Sequence, residues 1–139
     1  MLKNIKQTLL VAVISCGVLA IIKEILLLTG FPVKQYFIGG SPRGAYVYLF
    51  SAFLQEFLAR GVIQTSVKHL MHIRFQTISS IILTSLLFML MHLPFGFIFM
   101  MGAFLLSIAL GIIYEQQKSI WGCAFLHWSV GYLAMCLFF

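Results

Sequence analysis

The stretch Tyr46 to Val67, YVYLFSAFLQEFLARGVIQTSV, decides how the rest of the chain is interpreted. It is long enough to cross a bilayer as a helix, which takes about 20 mostly apolar residues. Nevertheless Gln55, Glu56 and Arg60 lie near its middle. A charge at the bilayer centre costs about 2.5–3.5 kcal/mol on insertion scales, so such a group faces a protein interior or a watery cavity and indicates a functional site. Glu56 and Arg60 are four residues apart and share a helix face. A buried ion pair that only fixes helix packing is the alternative interpretation.

The composition indicates a polytopic membrane protein. Of the 139 residues 62% are hydrophobic, whereas nine are basic and three acidic. A soluble domain of this size cannot bury so much apolar surface. Of the three carboxylates, Glu24, Glu56 and Glu115, only Glu56 lies in the middle of a span. The net charge of +6 is spread thinly, so it favours anionic lipid over nucleic acid as a partner. The three cysteines lie in apolar runs, without the spacing of a disulfide framework or a metal site.

Hydropathy predicts an all-α bundle of about five transmembrane helices. We expect one membrane domain over residues 1–139, made of a first helix with its loop (1–44) and a four-helix core (45–139). The predicted helices are residues 9–28, 46–67, two between 77 and 114 that Pro94 and Gly96 divide, and 120–139.

The connecting segments are polar or rich in Gly and Pro. Residues 29–44 contain two prolines and four glycines and predict a loop, and residues 115–119 predict a polar turn. The first helix continues past Cys16, so we expect it to be retained rather than cleaved as a signal peptide. In the link of residues 68–76, His69 and His72 are three residues apart, but no third ligand is near, and an interfacial turn is favoured over a metal site.

The distribution of Lys and Arg predicts the orientation. The side that holds the amino terminus has more of these residues, so we expect the amino terminus to be cytoplasmic. That side holds Lys3, Lys6, Lys68, Arg74 and Lys118, and the other holds Lys23, Lys34 and Arg43.

Three ionisable side chains on three different predicted helices form a candidate site. Glu56, His92 and His127 would each incur a separate desolvation penalty unless they share one cavity. A carboxylate can take a proton from water while two imidazoles hold the water or the developing oxyanion, so the trio is sufficient for hydrolysis. The same trio could bind a divalent metal such as zinc. For the three to meet, the third helix must begin nearer Ile81 and run past Pro94, or tilt strongly.

Three motifs in order along the chain resemble those of one protease family. The run QEFLARG at 55–61 is similar to EExxxRG, and FMLMH at 88–92 fits FxxxH. Tyr114-Glu115, followed by Ser119-Ile120-Trp121 and His127, resembles the run into a third motif, HxxxN. These are motifs of the CPBP family, the CAAX-protease and bacteriocin-processing intramembrane proteases.

The resemblance implies an intramembrane endopeptidase that cuts a membrane-associated protein or peptide in the cell membrane. Glu56, His92 and His127 would be catalytic, and Gln55, Arg60, Phe88 and Gly131 would support them. No cofactor would be required, although zinc on Glu56, His92 and His127 is an open alternative.

Two departures from the family pattern concern the chemistry directly. Gln55 replaces the first Glu of the motif, and a neutral amide cannot accept a proton from water. Gly131 replaces the Asn or Asp that ends the third motif, so position 131 offers no side-chain donor. They favour either a shift of the base to Glu56 or an inactive relative that binds a peptide or confers bacteriocin immunity. A small proton or cation transport component is the third hypothesis, with Glu56 as its ion site.

Overall fold

A computed structural model describes residues 2–30, 42–72 and 74–138, and the regular structure in these ranges is entirely helical. Three of the helices are long and apolar enough to cross a membrane: α1, α5 and α6. The predicted all-α membrane fold is therefore confirmed. In order, the elements are α1 (Leu2–Leu28), α2 (Pro42–Glu56), a π-helical segment (Phe57–Gln64), α3 (Thr65–Leu70), α4 (Gln76–Met91), a 3-10 turn (Leu93–Phe95), α5 (Phe97–Gln117) and α6 (Ile120–Phe138).

Several helix ends lie outside the predicted limits. α1 begins at Leu2 rather than Leu9. Most of the loop predicted over residues 29–44 lies outside the described residues, but α2 already begins at Pro42, because proline is favoured in the first helical turn. α5 continues to Gln117, and its end is marked by Lys118 in the left-handed conformation (φ 51°). The polar turn is therefore two residues long in place of the five predicted.

The end of α4 lies at the division that Pro94 and Gly96 predict. The helix stops at Met91, His92 forms its carboxyl-terminal cap, and Pro94 lies in the 3-10 turn that follows. Proline has no N–H and its ring disfavours a helical residue before it, so α4 cannot continue through Pro94. Gly96, with φ 94°, then starts α5. The division at Pro94 and Gly96 is confirmed. Of the two conditions under which Glu56, His92 and His127 could meet, the one that requires the third helix to begin nearer Ile81 and run past Pro94 is not met.

The described helices form two compact units, Met1–Phe53 with Ala124–Phe139, and Leu54–Cys123. In the Leu54–Cys123 unit, α4 packs on α5 and both pack on the π-helical segment. Three small residues of α5 at a spacing of four are buried in this packing, Ala103, Ser107 and Gly111, whereas Gly102 and Ala109 are exposed. Small residues allow helices to approach closely in a membrane. The single domain divided at residue 44 stays a prediction.

Candidate active site

The π-helical segment sets which side chains share a face in the middle of the second predicted helix. Four residues of an α-helix turn about 400°, so three steps of four would rotate Lys68 about 120° away from Glu56. In a π-helix the bonds run from residue i to i+5, so a turn holds more than four residues and the same step falls short of a full turn. Because Phe57–Gln64 is π-helical, the two deviations offset each other. One face of this helical stretch consequently carries four polar side chains, Glu56, Arg60, Gln64 and Lys68. We call it the polar face.

Arg60 is the centre of the polar face and is fully buried, as are Glu56 and Gln64. Its Nε donates to Glu56 Oε2 at 3.0 Å, and its Nη1 donates to Gln64 Oε1 at 2.9 Å. Its Nη2 donates to the carbonyl oxygen of Ser107 at 2.8 Å and to Ser107 Oγ at 2.6 Å. A guanidinium carries five N–H donors in a rigid fork. These bonds fix that fork in a plane that directs Nε to the carboxylate.

Gln64 continues the network toward the end of α5. While its Oε1 accepts from Arg60, its Nε2 donates to Glu115 Oε1 at 3.1 Å and to the Gly111 carbonyl oxygen at 3.3 Å. The absence of a side chain at Gly111 permits this approach, because a Cβ there would lie 3.2 Å from both Arg60 Nη1 and Gln64 Oε1, and 2.9 Å from Ile81 Cγ2. The amide therefore has a single orientation in which both of its ends are bonded.

Glu115 ends the network where two lysines reach it. Lys68 Nζ and Lys118 Nζ each donate to Glu115 Oε2 at 2.6 Å. The exposed fractions of the side chains are 27% for Lys68, 58% for Lys118 and 15% for Glu115. The charges along this network thus alternate in sign, from buried Glu56 through Arg60 and Glu115 to partly exposed Lys68.

His92 lies in the same unit, at the end of α4. Its Nδ1 is 2.8 Å from the Phe88 carbonyl oxygen. A carbonyl oxygen can only accept, so Nδ1 carries the proton and the neutral ring keeps Nε2 as an acceptor. The ring lies 4.7 Å from that of Phe88 and stacks on Phe99 at 5.7 Å between centroids. The aromatic neighbours fix the plane of the imidazole, and Nε2 is the ring atom able to accept a hydrogen bond from water.

His127 and Gly131 belong to the other unit, on consecutive turns of α6. His127 is buried, with 2% of its surface exposed. The Tyr48 ring of α2 meets its imidazole edge-on, with centroids 5.9 Å apart and an interplanar angle of 84°. Tyr48 is a neighbour of this histidine that the sequence alone did not indicate.

The structure brings together three pairs of the predicted site residues: Glu56 with Arg60, Phe88 with His92, and His127 with Gly131. Gln55 lies beside Glu56 at the end of α2 and is half-buried. A cavity shared by Glu56, His92 and His127 stays a prediction. Sequence reasoning missed Gln64, Ser107, and the bonds of Glu115 to both lysines. Gln64 could have been predicted, because polar residues recur at every fourth position from Glu56 to Lys68. Nothing in the sequence indicates that Ser107 contacts Arg60.

Within the described ranges, no group of three or more His, Cys, Asp or Glu side chains is arranged to bind a metal ion. The prediction that no cofactor is required stays a prediction, and a metal-assisted reaction stays the alternative to it.

The comparison with known families gives the decisive observation. The family model described as Type II CAAX prenyl endopeptidase Rce1-like matches residues 38–133, which is more than half of the chain. The chain belongs to this family. This confirms the CPBP resemblance found in the motifs. No curated protein and no solved structure shows a match.

As a member of the Rce1-like family, the chain carries the domain of a membrane protease. The matched residues, 38–133, include all three predicted catalytic residues. They also include both departures from the family pattern. The predicted function is confirmed at the level of the family.

Proposed function

We propose that this protein is an intramembrane endopeptidase in which Glu56 activates a water molecule to hydrolyse a peptide bond. The observation that supports it most strongly is the family match over the chain that contains Glu56, His92 and His127. Because Gln55 cannot accept a proton, Glu56 is assigned as the base. Its bond to Arg60, with Nε 3.0 Å from Oε2, holds the buried carboxylate in place.

The two histidines are assigned to the water and the oxyanion. With the Nδ1 proton bonded to Phe88, His92 would use Nε2 to accept a hydrogen bond from the attacking water. His127 would then donate to the oxygen that becomes negative as the tetrahedral intermediate forms. The proton taken by Glu56 would pass to the leaving amine, so that the base is regenerated.

The proposed substrate is a membrane-associated protein or peptide. The name of the matched family supports a prenylated carboxyl-terminal peptide as the first substrate to test.

No metal is assigned to the reaction, and we propose that none is required. The excess of Lys and Arg on one side supports a cytoplasmic amino terminus, which a reporter fused to either end of the chain would test.

The test is cleavage of fluorogenic prenylated and unprenylated peptides by the protein reconstituted in liposomes. Glu56→Gln is compared with Glu24→Gln, a matched control in which the same substitution is made at an exposed residue. We expect the parent and Glu24→Gln to cleave, and Glu56→Gln to remain folded but inactive. Equal cleavage by Glu56→Gln would contradict the assignment of the base. Activity that a chelator abolishes and zinc restores would replace the metal-free reaction with a metal-assisted one.

An inactive subunit that binds a peptide is the second candidate, and Gln55 and Gly131 are the residues that favour it. In that case the parent binds a peptide in liposomes without cleaving it. Restoring the first Glu of the family motif with Gln55→Glu would then leave binding of the peptide unchanged.

A further inference from the structure

The inference concerns Tyr48, in the unit formed by Met1–Phe53 and Ala124–Phe139. Its ring lies against α6, edge-on to His127 and tilted at 36° to Tyr132, with both centroid distances 5.9 Å. The tyrosine therefore contacts the face of α6 that carries the buried histidine.

Gly131 is what allows Tyr48 to reach this position. His127 and Gly131 are four residues apart, so they lie on one face of the helix. A Cβ added at position 131 would overlap the Tyr48 hydroxyl oxygen, and would lie 3.3 Å from His127 Cδ2. The phenol hydroxyl thus occupies the volume that a side chain at position 131 would fill, beside the imidazole.

We propose that Tyr48 is a positioning residue for His127. Its ring fixes the plane of the imidazole, and its hydroxyl supplies a hydrogen-bonding group where Gly131 has none. A phenol offers one donor and can also accept, so it can set which nitrogen of a nearby imidazole carries the proton. The inference rests on the proposed role of His127 in hydrolysis, and it accounts for a glycine at position 131 in a protein that keeps the histidine.

Two measurements test the placement of the hydroxyl without any substrate. The first is the thermal unfolding of Gly131→Ala in detergent micelles, made in the parent and in Tyr48→Phe. An alanine in a helix interior is ordinarily stabilising relative to glycine. We expect it to lower the unfolding temperature when Tyr48 is present, and to leave it unchanged or raise it when the hydroxyl is absent. Equal effects in the two backgrounds would overturn the proposal.

The second is the 15N spectrum of histidine-labelled protein, with the His127 signals assigned by His127→Gln. Tyr48→Phe removes one oxygen and keeps the ring. Tyr132→Phe, the same substitution at an α6 residue that the Tyr48 ring contacts, is its matched control. We expect the His127 nitrogen signals to move in Tyr48→Phe and not in Tyr132→Phe. Unchanged signals in Tyr48→Phe, or equal changes in the two variants, would overturn the positioning role.

In a preparation that cleaves peptide, Tyr48→Phe should lower kcat about tenfold or more with KM unchanged. A kcat equal to that of the parent would also overturn the proposal. If the parent cleaves nothing while the expectations for thermal unfolding and for the 15N spectrum are both met, the proposed function is wrong, and Tyr48 remains the partner of His127.

Discussion

Arg60 and Gln64 on the polar face are as fully buried as Thr84 and Ser85 on α4, but the hydrogen bonding of the two pairs differs. On the polar face, Arg60 and Gln64 are each bonded to several partners. On α4, Thr84 and Ser85 are 1% and 0% exposed, and neither Thr84 Oγ1 nor Ser85 Oγ has a hydrogen-bond partner within the described residues. An unpaired hydroxyl costs far less to bury than an unpaired charge. The comparison indicates that buried side chains are hydrogen-bonded where a charge is buried, beside the assigned base, and that two buried hydroxyls elsewhere are not.

The largest expected effect comes from removing the centre of the polar face. Arg60→Ala leaves Glu56 buried without its cation, and removing one partner of a buried pair costs about 3–5 kcal/mol. We expect a large fall in the unfolding temperature in micelles. Adding Glu56→Gln should recover part of the loss but not all, because Gln64 and Ser107 also lose a donor. Unfolding of Arg60→Ala at the temperature of the parent would show that the pair contributes nothing.

A smaller loss is expected from turning the Gln64 amide into a carboxylate. Gln64→Glu keeps an acceptor for Arg60 but removes the donor to Gly111 and places a second carboxylate beside Glu115. Losing a bond to a charged group costs about 1.5–3 kcal/mol. The exchange variant Gln64→Glu with Glu115→Gln restores one donor between the two positions and should recover much of the stability. Equal stability of the single variant and the exchange variant would contradict the orientation assigned to the amide.

A matched pair of serines tests the comparison itself. Ser107 and Ser85 are both fully buried, but Ser107 Oγ accepts a hydrogen bond from Arg60, whereas Ser85 Oγ has no hydrogen-bond partner within the described residues. We expect Ser107→Ala to cost about 1–2 kcal/mol, and Ser85→Ala to be neutral or slightly stabilising because an unpaired hydroxyl is removed. The free energies of unfolding of the two variants, measured under the same conditions, give the answer. A larger loss for Ser85→Ala would reverse the comparison.

The smallest effect is expected at the exposed end of the network. Lys118 is 58% exposed and shares Glu115 with Lys68. Exposed ion pairs contribute about 0–1 kcal/mol, so Lys118→Ala should change stability less than Lys68→Ala, and less still at high salt. The free energies of unfolding of the two variants at low and at high salt measure the difference between them and its dependence on salt. A larger loss of stability for Lys118→Ala than for Lys68→Ala would show that the more exposed lysine contributes more to the ion pairs of Glu115.

Sequence reasoning reached the helices and the pair formed by Glu56 and Arg60, because hydropathy and a spacing of four are local signals. It placed His92 near the end of its helix for the same reason, since Pro94 acts on its neighbours in sequence. It could not find Ser107, which is 47 residues from Arg60 and is one of many serines in apolar surroundings. It also assumed an α-helical turn through Phe57–Gln64, where the π-helical turn changes the register of the polar face. Tyr48 was missed because only the packing around Gly131 indicates its position.

The account depends most on Glu56 as the base, held by Arg60. The direct test is the rate of peptide cleavage by the exchange variant Gln55→Glu with Glu56→Gln, which has the composition and charge of the parent. The exchange moves the carboxylate about 100° around the helix, away from the polar face. Unfolding in micelles confirms that the variant is folded, and Gln55→Glu alone is the control. We expect the control to cleave and the exchange variant to be inactive. Cleavage by the exchange variant at the rate of the parent would contradict the account.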